Sequence, residues 1–213
     1  MVQTVAVIDY GSGNLHSVTK AIEHAGICRV IVTSDASSIR AADRVVLPGV
    51  GAMGDCMQGL KDRALDSVVL DLIGTKPLMG ICVGMQILAK YGEESSGVQA
   101  LGVFSGQITQ FSKSMKTDVG ASLKVPHMGW NEVIQQPHPM WSGIPDRTRF
   151  YFVHSYCYAD ASADCVIGRC EYGLPFAAAL ATQNVFAVQF HPEKSHDAGI
   201  HLYSNFLSWD GTC

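Results

Sequence analysis

Residues 78–90, LMGICVGMQILAK, decide how the chain is read. Leu78-Met79 and Ile81 form a short apolar run that reads as the end of a buried strand, and Val83 to Lys90 has the composition of a helix. Between them, Cys82 has Gly80 and Gly84 two residues away on either side, the G-x-C-x-G spacing of a nucleophile elbow. A strand that turns at once into a helix strains its central residue and leaves no room for side chains beside it, hence the glycines. A thiol at the first turn of a helix faces the positive end of the helix dipole, which favours the thiolate. The N–H groups of Val83 and Gly84 are placed to receive an oxyanion formed when Cys82 attacks a carbonyl. A small cysteine buried at a strand end would leave the same trace, so the rest of the chain has to decide.

Upstream, residues 4–9 (TVAVID), 28–35 (CRVIVTSD) and 44–49 (RVVLPG) are apolar runs of strand length. Leu15, Val18, Ile22 and Ala25 recur at helical spacing between the first two, with Asn14 as the expected cap and Gly26 at the end. Strand, helix, strand with near-continuous Val and Ile predicts a parallel sheet covered on both faces. Two further helices are expected, over 55–61 and 64–73. Beyond residue 91 short alternating strands separated by turn residues take over, and Ser195 to Trp209 reads as a closing helix. In that helix Ser195 is the expected cap, and Gly199, Leu202, Tyr203, Phe206 and Leu207 share one face. Residues 112–122 (SKSMKTDVGAS) are polar and read as a mobile loop. The expected fold is α/β, a central, mostly parallel twisted sheet flanked by helices, with a more antiparallel β portion in the C-terminal half. It occupies residues 1–213 as a single domain.

Of 213 residues, 47% are hydrophobic and 16% charged, enough apolar material for a sizeable core. A net charge of −4 without a basic stripe argues against nucleic acid as a partner. No apolar stretch approaches the roughly 20 residues of a membrane span, and Asp9 directly after the first apolar run argues for a strand, not a leader peptide. Seven cysteines, at 28, 56, 82, 157, 165, 170 and 213, form no C-x-x-C pair. That pattern predicts a reduced, cytoplasmic protein with no metal site. Gly11-x-Gly13 lacks the third glycine of a dinucleotide fingerprint, and no cofactor is expected.

Two other stretches carry chemistry. Residues 48–54 (PGVGAMG) follow the third strand, so Gly49, Val50 and Gly51 leave bare N–H groups at the carboxyl end of the sheet, where open α/β folds place their sites; a plain tight turn is the alternative. Residues 185–193 (VFAVQFHPE) end in His191-Pro192-Glu193. Proline keeps His191 extended, and in extended chain residues i and i+2 project to one side, so Glu193 lies beside the imidazole. Glu193 can then orient His191, and His191 can take the proton of Cys82. Singly, His191 reads as a core histidine and Glu193 as a surface carboxylate; jointly they make nucleophilic acyl transfer the best reading.

The motifs GICVGMQ (80–86) and FHPEKS (190–195) resemble those of the triad-type, class I glutamine amidotransferases, across essentially the whole chain. The resemblance implies the flavodoxin-like fold of that family and release of ammonia from L-glutamine. It implies Cys82 as nucleophile, His191 as general base and then acid, Glu193 as its orienter, and an oxyanion hole from Val83 and Gly49, Val50 and Gly51. It also implies glutamine binding by Gln86, Gly51, His154, Ser155 and Tyr156. DYGSGNL (9–15), PGVGAMGD (48–55), VPHMGWNEV (125–133) and FVHSY (152–156) are similar to the glutaminase subunits that pass ammonia to a separate (β/α)8-barrel cyclase in histidine biosynthesis. That similarity implies a heterodimer with the cyclase and places Asn14, His127, Trp130, Asn131, Lys194 and Ser195 near the interface. In this subfamily the loop at Gly49-Val50 is associated with a peptide flip that completes the oxyanion hole, so activity would depend on the partner. A stand-alone cysteine hydrolase of similar fold, such as a γ-glutamyl hydrolase or peptidase, the glutaminase subunit of another synthase, and a non-enzymatic binding module are the alternatives.

Overall fold

The computed structural model describes residues 2–112, 114–116 and 120–212. Five strands form the parallel half of the main sheet: β1 (Thr4–Ile8), β2 (Arg29–Thr33), β3 (Arg44–Leu47), β4 (Leu78–Ile81) and, from far along the chain, β14 (Val185–Val188). They lie in the order β2-β1-β3-β4-β14, with Leu47 opposite Gly80 and Val188 opposite Ile81. Val5 to Ile8, Val45 to Leu47, Leu78 to Ile81 and Val185 to Val188 are all buried, as expected of strands covered on both faces. Burial of the larger of these side chains, at about 1.5–3 kcal/mol each, stabilises the sheet.

The helices are α1 (Leu15–Ala25), α2 (Ala36–Ala41), α3 (Met53–Asp62), α4 (Leu65–Asp71), α5 (Val83–Gln86) and α6 (His196–Ser208). Helices α1 and α6 pack on each other, as do α4 with α2 and α3. In α6 the buried residues are Gly199, Leu202, Tyr203, Phe206 and Leu207, the face its spacing predicts. Three local expectations need correcting. Neither Asn14 nor Ser195 caps its helix with a side-chain hydrogen bond. The Ser195 hydroxyl instead donates to the His191 carbonyl at 2.7 Å and accepts from the Tyr151 N–H at 3.0 Å. The helix after Cys82 is one turn long: beyond Gln86 the backbone tightens into i→i−3 turns, Leu88 N–H to the Met85 carbonyl at 3.2 Å and Ala89 N–H to the Gln86 carbonyl at 3.0 Å.

The second half adds β5 (Tyr91–Gly92), β6 (Val98–Gln99), β7 (Gln107–Gln110), β8 (His127–Glu132), β9 (Ile134–Gln135), β10 (Arg149–His154), β11 (Tyr156–Tyr158), β12 (Val166–Glu171) and β13 (Pro175–Thr182). Strand β13 pairs antiparallel with β14, and β11 and β7 continue the sheet antiparallel, so this half extends the first sheet. Strands β8 and β10 form a separate antiparallel pair, tied to the main sheet where the His191 N–H meets the Tyr151 carbonyl at 2.9 Å. Of the expected mobile loop 112–122, residues 113 and 117–119 lie outside the described residues.

Candidate active site

Cys82 stands one residue beyond β4, where its N–H donates to the Val188 carbonyl at 2.8 Å. Its backbone, at φ 54° and ψ −112°, is in a region that side chains avoid, the strain expected at the elbow. The two flanking positions show why the turn needs glycine. A β-carbon at Gly84 would be driven into the Leu47 carbonyl, and one at Gly80 would come within 2.8 Å of the Leu88 side chain. Gly49 is equally confined, its β-carbon position 2.7 Å from the Gly84 nitrogen, so the Pro48–Gly51 loop presses directly on the elbow.

His191 leaves the end of the adjacent strand β14, and its Nδ1 lies 2.8 Å from Glu193 Oε1. Both side chains are almost fully enclosed, at 3% and 1% exposed. With Nδ1 engaged, the other ring nitrogen is left for Cys82. Burial disfavours the imidazolium, but the charge and hydrogen bond of Cys82 and those of Glu193 outweigh it and hold the imidazole well above its ordinary range, at about 10. The parallel pairing of β4 with β14 therefore brings Cys82 together with His191 and Glu193, 109 and 111 residues further along the sequence.

A cavity of about 410 Å³ opens beside the sulfur, within the usual range for small-molecule sites (~300–1,000 Å³). Val50, Gly51, Cys82, Val83, Gln86, His154, Ser155, Tyr156 and His191 line it, which gathers most of the residues expected to hold substrate. Glu94, Pro126, Val153 and Lys194 complete the wall. Of these, Glu94 comes from a segment whose sequence gives no sign of a site, while Pro126 and Val153 lie within VPHMGWNEV and FVHSY but are not among the residues expected there. Gln86 is buried, and its Nε2 donates to the Tyr156 carbonyl at 3.2 Å and to Gln189 Oε1 at 3.0 Å. Its carbonyl oxygen is thereby left to accept from a ligand.

The Pro48–Gly51 loop is held from behind. The Tyr10 hydroxyl donates to the Pro48 carbonyl at 2.5 Å, and the Ser12 hydroxyl and Cys56 thiol donate to the Val50 carbonyl at 2.7 and 3.4 Å. In a trans peptide the N–H points opposite the carbonyl, so the Gly51 N–H faces away from these anchors. Val83 and Gly84 are the first residues of α5, and the first N–H groups of a helix have no partner within it.

The expected interface residues divide. Trp130 is 44% exposed and stacks on His196 at 5.0 Å, with Met128, 62% exposed, two residues away. Lys194 is exposed, its Nζ 5.9 Å from the Tyr151 ring centroid, while Asn14 and Asn131 are half-buried. His127 and Ser195 are buried and bonded within the chain, so neither offers its side chain to a partner. Sequence spacing cannot reveal this, because β8 turns His127 inward onto Phe152 and Tyr172.

A cysteine elbow with a buried His–Glu pair just beyond the neighbouring strand is an arrangement suited to acyl transfer, and comparison with known proteins gives the family. Residues 6–208 match the family described as glutamine amidotransferase class-I. The fold is shared with PurLQS from Thermotoga maritima (TM-score 0.72, 19% identity, 98% of this chain and 99% of that one). Much nearer in sequence is imidazole glycerol phosphate synthase subunit HisH of Pseudomonas putida, 58% identical over 98% of this chain and 99% of its own. HisH 1 of Pseudomonas aeruginosa is 55% identical over 99% of both. The chain belongs to the class-I glutamine amidotransferases and, among them, to the HisH subunits of imidazole glycerol phosphate synthase.

Proposed function

We propose that this chain, as one domain, is the glutaminase subunit of an imidazole glycerol phosphate synthase, hydrolysing L-glutamine and passing the ammonia to a (β/α)8-barrel cyclase subunit. The observation that carries the reading is the Cys82–His191–Glu193 array beside a cavity walled by Gln86 and the Pro48–Gly51 loop.

In the proposed reaction the Cys82 sulfur adds to the side-chain amide carbon of glutamine, and the oxyanion forms against the N–H groups of Val83 and the Gly49–Gly51 loop. The imidazolium of His191 gives its proton to the amide nitrogen, the C–N bond breaks, and ammonia leaves a cysteinyl thioester. His191, now neutral, takes a proton from water as the hydroxide adds to the thioester; collapse of that adduct expels the sulfur and frees glutamate. Glu193 keeps the ring in the required tautomer and supports its positive charge. Gln86 Oε1, Gly51 and the His154–Tyr156 segment hold the amino-acid end. The exposed Met128 and Trp130, with Lys194 and the half-buried Asn14 and Asn131, supply the docking face, and a sealed route keeps ammonia from being protonated to unreactive ammonium. Six described cysteines, all free, support a reducing compartment such as the cytoplasm. Among the described residues no helix is long and apolar enough to cross a membrane.

The test is glutamate release by the chain alone and with the cyclase and its nucleotide ligand. Strong stimulation, abolished in Cys82→Ala, is expected. Equal turnover with and without the cyclase would favour a stand-alone hydrolase and sink the proposal.

A further inference from the structure

Gln189 has no part in the reaction as written, yet its polar side chain is completely buried behind the nucleophile. A buried carboxamide is costly unless its hydrogen bonds are made, so both its oxygen and its nitrogen need partners. The anchor is the Tyr156 carbonyl, which can only accept. It receives His154 Nδ1 at 2.8 Å and Gln86 Nε2 at 3.2 Å. Gln86 must therefore turn its NH2 group that way, and the same NH2 group, 3.0 Å from Gln189, requires the Gln189 oxygen to face it. The Gln189 NH2 group is thereby directed at Cys82 Sγ, 3.8 Å away. Reversing either amide would set two donors against each other or a donor-less oxygen against a carbonyl.

The anchor is itself braced. His154 Nε2 accepts from His127 Nδ1 at 3.0 Å, and His127 Nε2 accepts from Asn131 Nδ2 at 3.3 Å. Each bond in this line runs one way only while both rings are neutral, and burial keeps them so by pushing His127 down to about 4 and His154 to about 3.

We propose that Gln189 is a positioning residue for the nucleophile: its side-chain N–H donates to the Cys82 sulfur and holds it, in the anionic form, toward His191 and the cavity. This deepens the reading of Cys82 as nucleophile and rests on it. A donor aimed at a sulfur in a dry site favours the thiolate over the thiol, which has no negative charge to stabilise. Gln189 is too enclosed to touch substrate, so its influence falls on turnover more than on substrate affinity.

The experiment is alkylation of Cys82 by iodoacetamide in the full chain, followed by mass spectrometry of the Cys82 peptide across roughly pH 5–10. In Gln189→Met the rate profile is expected to move to higher pH, and in Gln189→Glu further still. With cyclase present, Gln189→Met is expected to lower kcat about 10-fold while KM changes less than about 2-fold. Superimposable alkylation profiles for wild type and Gln189→Met would overturn the proposal. A wild-type Cys82 no more reactive than the other thiols would instead overturn its assignment as nucleophile. If the variants do not fold, the Gln189 side-chain N–H resonances of the wild type decide. They should shift with the alkylation profile and stop doing so in Cys82→Ala; resonances indifferent to pH would refute the contact.

Discussion

Replacing Cys82 by glycine should leave the protein more stable than replacing it by alanine, the reverse of the usual order. Glycine normally costs about 0.5–1 kcal/mol relative to alanine because its unfolded chain has more freedom to lose. At φ 54° and ψ −112° the backbone of Cys82 is where any β-carbon is strained, by about 1–3 kcal/mol. Alanine keeps that strain and glycine removes it. Both variants lose the thiol's contacts with His191 and Gln189 equally, so those losses cancel in the comparison. At mid-range, what remains is an advantage for glycine of about 1 kcal/mol, which for a chain of this length is roughly 2–4 °C in Tm. Thermal and urea unfolding of the two purified variants measures it directly. If Cys82→Ala proved as stable as Cys82→Gly, or more so, the strained elbow would be wrong.

The same turn predicts that Gly84→Ala is severely destabilised, by about 3 kcal/mol or more, because the added carbon meets the Leu47 carbonyl. Gly51→Ala has open space around it and a φ of +82°, so only about 1 kcal/mol of strain is expected; unfolding midpoints that rank the two alike would contradict the packing. Glu193→Gln should cut glutaminase turnover by about 10²-fold or more, measured with the cyclase bound. It should also flatten a stability loss at alkaline pH. The imidazole of His191 is raised to about 10, so its contribution is complete below its unfolded value near 6.5 and disappears as pH climbs toward 10. At acid pH the sign reverses. Burial lowers His127 and His138 to about 4 and His154 to about 3, so the unfolded chain takes up their protons first and stability falls between about pH 6.5 and 4. Denaturant midpoints should drop across that window, and less in His138→Phe; a flat acid limb would show that these rings are not buried neutral.

The elements that carry chemistry were legible because each depends on local rules. G-x-C-x-G announces a turn that only glycines permit, and His-Pro-Glu does set the imidazole beside the carboxylate, but through a 3-10 turn over Pro192–Lys194 and not through the extended segment expected. The parallel sheet showed in its continuous Val and Ile. Helix α2 was not foreseen, since ASSIRA offers one apolar anchor, Ile39, and no periodicity; its start is fixed by Asp35 accepting from the Ser38 N–H at 2.8 Å. The cap at Ser195 failed because its hydroxyl is drawn to the backbone of His191 and Tyr151. The burial of His127, the wall contributed by Glu94 and Pro126, and the partners of Gln189 depend on which distant strands become neighbours. Residue spacing carries no record of that.

Cys82 follows β4 by one residue and His191 follows β14 by three, so the sulfur and the imidazole leave the ends of adjoining parallel strands, which run about 4.8 Å apart. The Cys82 N–H is bonded to the sheet at Val188, whereas the His191 N–H is bonded to Tyr151 of β10, so the imidazole is seated on the β8–β10 pair as well as on the sheet. A protein bound against the β8–β10 pair would thus press on the seat of the imidazole, while the glycine-rich segment on the other side of the cavity stays anchored by Tyr10, Ser12 and Cys56.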